Sequence, residues 1–172
     1  MIIFNRFKNR LIASVLTRFP SLADRVAKGI DPLKFDTTPW APVTKPLAQM
    51  TVALITTAGV HLKTDAPFDM SNKSGDGSFR VIHSGVTMGD LAITHDYYDH
   101  TDADRDVNIV FPLERLRELV ANGVIGAVAK RHYGFMGHIE NEQIEKLTLQ
   151  SAPEVARLLK EDRVDAILIT PG

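Results

Sequence analysis

Val164-Asp165-Ala166-Ile167-Leu168-Ile169-Thr170-Pro171-Gly172 is an apolar run closed by a Pro-Gly turn signal. A short continuous apolar run that follows a helical segment is the pattern of a strand in a parallel sheet, where helices cover both faces. The helical segment is present, because Val155, Leu158 and Leu159 fall on one face of a helix just before the run. The stretch therefore reads as a buried strand. In open α/β sheets ligands bind in the crevice outside the carboxyl ends of the strands, so chemistry is expected at the loop that begins at Pro171.

The same alternation extends back through the second half of the chain. Leu113, Leu116, Leu119 and Val120 recur at helical spacing, with Pro112 near the start and Asn122-Gly123 at the end. Val124 to Ala129 reads as a strand that opens on the loop Lys130 to His138. Thr51 to Thr57, Phe79 to Ile82 and Leu91 to Thr94 read as further strands. Strand and helix in alternation predict an α/β fold: a mostly parallel sheet with helices on both faces, doubly wound in the Rossmann-like or flavodoxin-like manner, over residues 48–172.

Residues 1–47 read as a separate segment. Phe4, Phe7, Leu11, Val15 and Phe19, with Leu22 and Val26 beyond Pro20, lie along one side of a helix or a broken helical pair. The basic opposite face reads as solvated, with docking on a partner or a membrane surface as the alternative. Pro32, Pro39, Pro42 and Pro46 then mark a connecting arm, since proline cannot donate to a regular element. Trp40 is expected to anchor that arm on the main body.

Composition narrows the function classes. The 172 residues are 44% hydrophobic and 24% charged, which is ordinary for one globular domain. A net charge of -1 gives no general attraction to nucleic acid or anionic membrane. The absence of cysteine rules out disulfides and thiolate metal sites within these residues. No run approaches the roughly 18 apolar residues of a membrane span. Arg6, Lys8 and Arg10 break the apolar centre that a secretory signal needs, so a cytoplasmic location is expected. No G-x-G-x-x-G or Walker pattern follows the first strand, and nucleotide binding is not supported.

Candidate chemistry gathers at the strand ends. Gly59 follows the first strand in a small-residue turn that would let backbone approach a ligand. His61, His95 and His132 each read as lying just beyond a strand, which would set three imidazoles along one rim, able to exchange protons near neutral pH or to bind a carboxylate when protonated. Asp96 belongs to the same densely titratable group. His95, Asp96, Asp99 and His100 also carry ligand types suited to a divalent metal, so a metal-dependent hydrolase is one alternative. A binding subunit without catalysis is another. Each histidine taken singly also reads as a satisfied structural residue.

Six stretches together resemble the selenoprotein B family, that of glycine, sarcosine and betaine reductase component B and of D-proline reductase. They are Thr56 to His61, Gly75 to Arg80, Thr94 to Asp99, Asn108 to Leu116, His132 to Gly137 and the terminal Val164 to Gly172. The resemblance covers about Met50 to Gly172 and implies reductive cleavage of a carbon–nitrogen bond in a small amino acid or its N-methylated derivative. It further implies a selenocysteine or cysteine nucleophile after the last strand, and thiol or selenol carrier proteins as partners. The chain has neither residue, so no catalytic group is assigned within it, and the redox residue is expected after Gly172. Selenocysteine is encoded by UGA, which also reads as stop, so a UGA codon after codon 172 is the expected reason for the end point. A small amino-acid-derived carboxylate is the expected ligand, with His61, His95, Asp96, His132 and Gly59 around it. The apolar N-terminal helix makes self-association the expected state.

Overall fold

A computed structural model describes residues 2–27, 37, 38 and 40–172. Pro32 and Pro39 of the expected arm, and the side chains of Phe4 and Val26, lie outside the described residues. Strand β1 (Thr51–Thr56) is the centre of the molecule. Its alternating side chains serve two faces: Val52 and Leu54 enter one apolar cluster, Ala53 and Ile55 the other. Each face has its own helix. Helix α4 is Leu113–Ala121, and its Leu113 and Leu116 pack with Val52 and Leu54. Helix α6 is Ala152–Glu161, and it brings Val155, Leu158 and Leu159 against Ala53, Tyr133 and Phe135.

The sheet is mixed. On one side of β1 lies the terminal strand β7 (Ala166–Thr170), parallel and in register from Val52 with Ala166 to Thr56 with Thr170. Along the other side run β5 (Ala127–Val128) and β6 (Arg131–Phe135), both parallel to β1. Strand β3 (Phe79–His83) closes that side antiparallel to β6. A separate antiparallel ribbon joins β2 (Val60–Leu62) to β4 (Leu91–Ile93).

Four expectations are corrected here. The terminal strand is not buried: Ile169 is 65% exposed, and Ile167 and Leu168 are exposed as well. The reason is geometric, since among the described residues β7 pairs with β1 alone, and the α6 cluster gathers over β1 and β6. The segment read as a loop from Lys130 contains β6, and His61 lies within β2 rather than beyond a strand. Trp40 is 84% exposed and anchors nothing among the described residues.

The N-terminal segment forms α1 (Ile2–Arg18) and α2 (Pro20–Ala27), broken at Phe19-Pro20 as expected. Its orientation is the reverse of an ordinary amphipathic helix. Phe7, Leu11, Ile12 and Val15 face solvent, whereas Arg6 and Arg10 turn toward the body. The remaining helices are α3 (Thr101–Arg105) and α5 (Glu142–Lys146), and a π-helical turn links α5 to α6.

Candidate active site

Four chain segments meet at the carboxyl ends of β1, β6, β7 and β4. They contribute Thr57, then Gly137 and His138, then Gly172, then His95, Tyr97 and Tyr98, as the walls of a pocket of about 270 Å³. The segments are tied together through backbone. Thr57 N–H donates to the Thr170 carbonyl at 3.0 Å, Gly59 N–H to Phe135 at 2.9 Å and Thr94 N–H to Gly59 at 2.9 Å. This is the crevice that parallel-sheet geometry predicts.

His95 is the focus of the pocket. It is 3% exposed, and its Nδ1 accepts a hydrogen bond from Tyr97 N–H at 3.1 Å. That bond leaves the proton of the neutral ring on Nε2. Nε2 is buried and has no partner among the described residues. A Cβ at Gly137 would sit 3.3 Å from Nε2 and 3.0 Å from the Thr57 carbonyl, so glycine there lets the turn after β6 pack closely against the imidazole. Burial first, then the imidazoles of His100 and His138, push His95 down to about 4, against a smaller upward pull from Asp96. At neutral pH it is a donor without charge.

The flanking aromatic groups are fixed. Tyr97 stacks on His138 with ring centroids 3.9 Å apart, and Tyr98 Oη donates to the Ala58 carbonyl at 3.1 Å. Burial pushes the Tyr98 phenol well above its ordinary range, so it stays protonated. His138 Nε2 pairs with the Lys73 carbonyl at 2.9 Å.

The other residues expected at the site lie around it rather than in it. Gly59 has φ +73, and a Cβ there would meet the Thr94 carbonyl at 2.4 Å, so it lets β4 end beside β1 and faces no open space. Both nitrogens of His61 are engaged, Nδ1 with the Leu62 carbonyl at 2.7 Å and Nε2 with Thr94 Oγ1 at 2.8 Å. His132 is buried inside β6, where Nδ1 accepts from Leu54 N–H at 2.9 Å. The three imidazoles therefore do not share one rim.

Asp96 is 1% exposed and is held by Arg6 and Arg10 of α1. Burial pulls its carboxyl up, but the hydrogen bonds from both guanidinium groups outweigh this and leave it lowered. Asp99 accepts from Thr101, and His100 Nδ1 pairs with Asp104 at 2.7 Å. The four residues of the alternative metal site thus have separate partners, and among the described residues no cluster of three or more such side chains could hold an ion. Thr57, Gly137, His138, Tyr97 and Tyr98 were not singled out by the sequence reading. The small-residue turn after the first strand and the strand-end positions of His95 and Gly172 are the signals that point near them.

The model of the glycine/sarcosine/betaine reductase selenoprotein B family matches residues 30–172, and the chain belongs to that family. It is 45% identical over 133 residues to D-proline reductase subunit gamma of Acetoanaerobium sticklandii, covering 77% of this chain and 53% of the relative. It is 29% identical to glycine reductase complex component B subunit gamma of Carboxydothermus hydrogenoformans, covering 79% of this chain and 31% of that one. Betaine reductase complex component B subunit beta of Peptoclostridium acidaminophilum is 30% identical, covering 76% of this chain and 29% of the relative. The chain thus spans about half the length, or less, of the curated relatives it matches. No solved structure matches it significantly. Among the described residues no helix is long and apolar enough to cross a membrane.

Proposed function

We propose that this chain supplies the substrate-holding face of a selenoprotein B-type reductase that cleaves a carbon–nitrogen bond in D-proline or a similar small amino-acid derivative. Identity of 45% to the D-proline reductase subunit, against 29% and 30% for the glycine and betaine relatives, favours D-proline over glycine, sarcosine or betaine. The observation that carries the reading is the unpartnered, buried His95 Nε2, close beside Gly137 in the wall of a pocket that Gly172 also lines.

Neutral His95 donates from Nε2 to a carboxylate oxygen of the substrate. The Tyr97–His138 stack walls one side and excludes water there. Asp96, Gly59 and, through Thr94, His61 act as positioning groups for the segment that carries His95 rather than as contacts to the ligand, whereas His132 serves the strand ladder. The selenocysteine or cysteine expected after Gly172 would enter from the wall that Gly172 forms, and it supplies an ionised selenolate or thiolate nucleophile. Thiol or selenol carrier proteins belong to the same proposal, and relatives named as components and subunits of reductase complexes support it. We read residues 48–172 as the α/β unit, doubly wound once the open side of β7 is covered, and residues 1–47 as an appended segment.

Calorimetric titration with D-proline tests the reading. Saturable binding is expected, weakened about tenfold by His95→Ala, the worth of one hydrogen bond from a desolvated donor. Wild-type protein that binds none of D-proline, glycine, sarcosine or betaine would overturn it. So would binding that His95→Ala leaves unchanged. Binding without turnover in the presence of dithiol reductant and a supplied redox segment would instead favour the non-catalytic subunit.

A further inference from the structure

Asp96 accepts three hydrogen bonds, all from α1: from Arg6 Nε at 2.6 Å, Arg6 Nη2 at 3.2 Å and Arg10 Nε at 2.8 Å. Arg6 and Arg10 stand four positions apart, so they project from one side of the helix. The carboxylate they hold is 1% exposed. A buried carboxylate is costly unless paired, so this contact is more than a surface ion pair. Its place in the chain gives it consequence. Asp96 is flanked by His95 and Tyr97, both walls of the candidate site, and Tyr97 N–H is the donor that fixes the His95 ring. Both arginines precede residue 30, where the match to the family begins.

We propose that α1 is a clasp on the candidate site, with Arg6 and Arg10 as positioning residues that hold the 95–98 segment in the shape that sets His95 in the pocket wall. The inference rests on the reading of that pocket as the substrate site only for its effect on binding; the effect on His95 itself is independent of it. The charged and titratable groups facing His95 are Asp96 beside it, with its two arginines, the phenols of Tyr97 and Tyr98 edge-on to its ring, His100 from the start of α3 and His138 after β6. With the arginines removed, the Asp96 carboxylate loses its partners and the segment loses its restraint.

Amide hydrogen exchange and an NMR titration of the histidine rings in Arg6→Gln/Arg10→Gln test this. Exchange at Tyr97 N–H is expected to quicken about tenfold while β1 amides keep their protection. The His95 titration midpoint is expected to rise from about 4, with His132 unmoved as the internal control. Arg6→Lys/Arg10→Lys keeps the charges and is expected to restore part of both. Asp96→Asn, which leaves α1 untouched, should loosen Tyr97 in the same way, and it decides the matter alone if the arginine variant does not fold. Tyr97 exchange and His95 titration equal to wild type would overturn the clasp even where D-proline binds. A shifted His95 in a protein that binds no D-proline would keep the clasp and remove the substrate reading.

Discussion

His132 takes the place of a backbone carbonyl. Val128 pairs with Val52 and Tyr133 with Ile55, so β5 and β6 together carry two more residues than the stretch of β1 they accompany. The ladder opens there, and the imidazole Nδ1 accepts the Leu54 N–H that would otherwise be orphaned. His132→Leu leaves the Leu54 N–H unpaired but also removes the His132 Nε2–H, itself buried without a partner among the described residues, so it should cost at most about 3 kcal/mol, read by urea denaturation, with quickened exchange at the Leu54 amide. Unchanged exchange at that amide would show that Leu54 N–H finds another acceptor. Burial first, then Arg117, push His132 down to about 4, the value also reached by His95. In the unfolded chain each ring takes its proton near the ordinary 6.5, whereas the folded form resists until about 4. Stability from this source is complete above the unfolded value, falls as pH drops from 6.5 toward 4, and changes no further below it. The loss is on the order of 3 kcal/mol per ring. Denaturation midpoints that stay flat across that window would contradict the neutral state of these buried rings.

At the scale of elements, β7 and α6 make opposite demands on similar residues. Leu158 of α6 is buried in the cluster with Tyr133 and Phe135, so Leu158→Ala should cost about 2–5 kcal/mol. Ile169 of β7 is largely exposed, and Ile169→Ala should change stability by less than about 1 kcal/mol in the same measurement. Equal losses would mean that β7 is covered in solution. These elements also mark how far sequence reading reaches. Helices α4 and α6 and strand β1 were legible because their apolar spacing reports directly on burial. Strand β6 was not, because Arg131 and His132 break its apolar pattern: Arg131 binds Asp162 through two nitrogens, and His132 serves the ladder. The exposure of β7 was hidden for the converse reason, since an apolar run states what a strand can bury and not what lies beside it. The clasp was equally hidden. A basic helix face looks the same in sequence whether it meets water or a buried Asp96.

Among the described residues, apolar surface stands open on the outer side of α1 at Phe7, Leu11 and Ile12 and on β7 at Ile167 and Ile169. Exposed apolar area of this kind marks association. Light scattering at micromolar concentration is expected to show species heavier than one chain, with Phe7→Ser/Leu11→Ser or Ile167→Ser/Ile169→Ser reducing them. A strictly monomeric wild type would remove that expectation. The site itself was partly legible, because the rule that strand ends face the crevice led to His95 and to the turn at Gly172. The separate histidine environments were not, since His61, His95 and His132 look alike until their partners are known. The central claim, that the pocket around His95 holds a small amino-acid carboxylate, is tested most directly by heteronuclear NMR during titration with D-proline. The account predicts saturable shifts at the His95 ring and the Tyr97 and Gly137 amides, with the His61 and His132 rings moving little and the shifts lost in His95→Ala. Shifts centred on His61 or His132, or none at all, would contradict it.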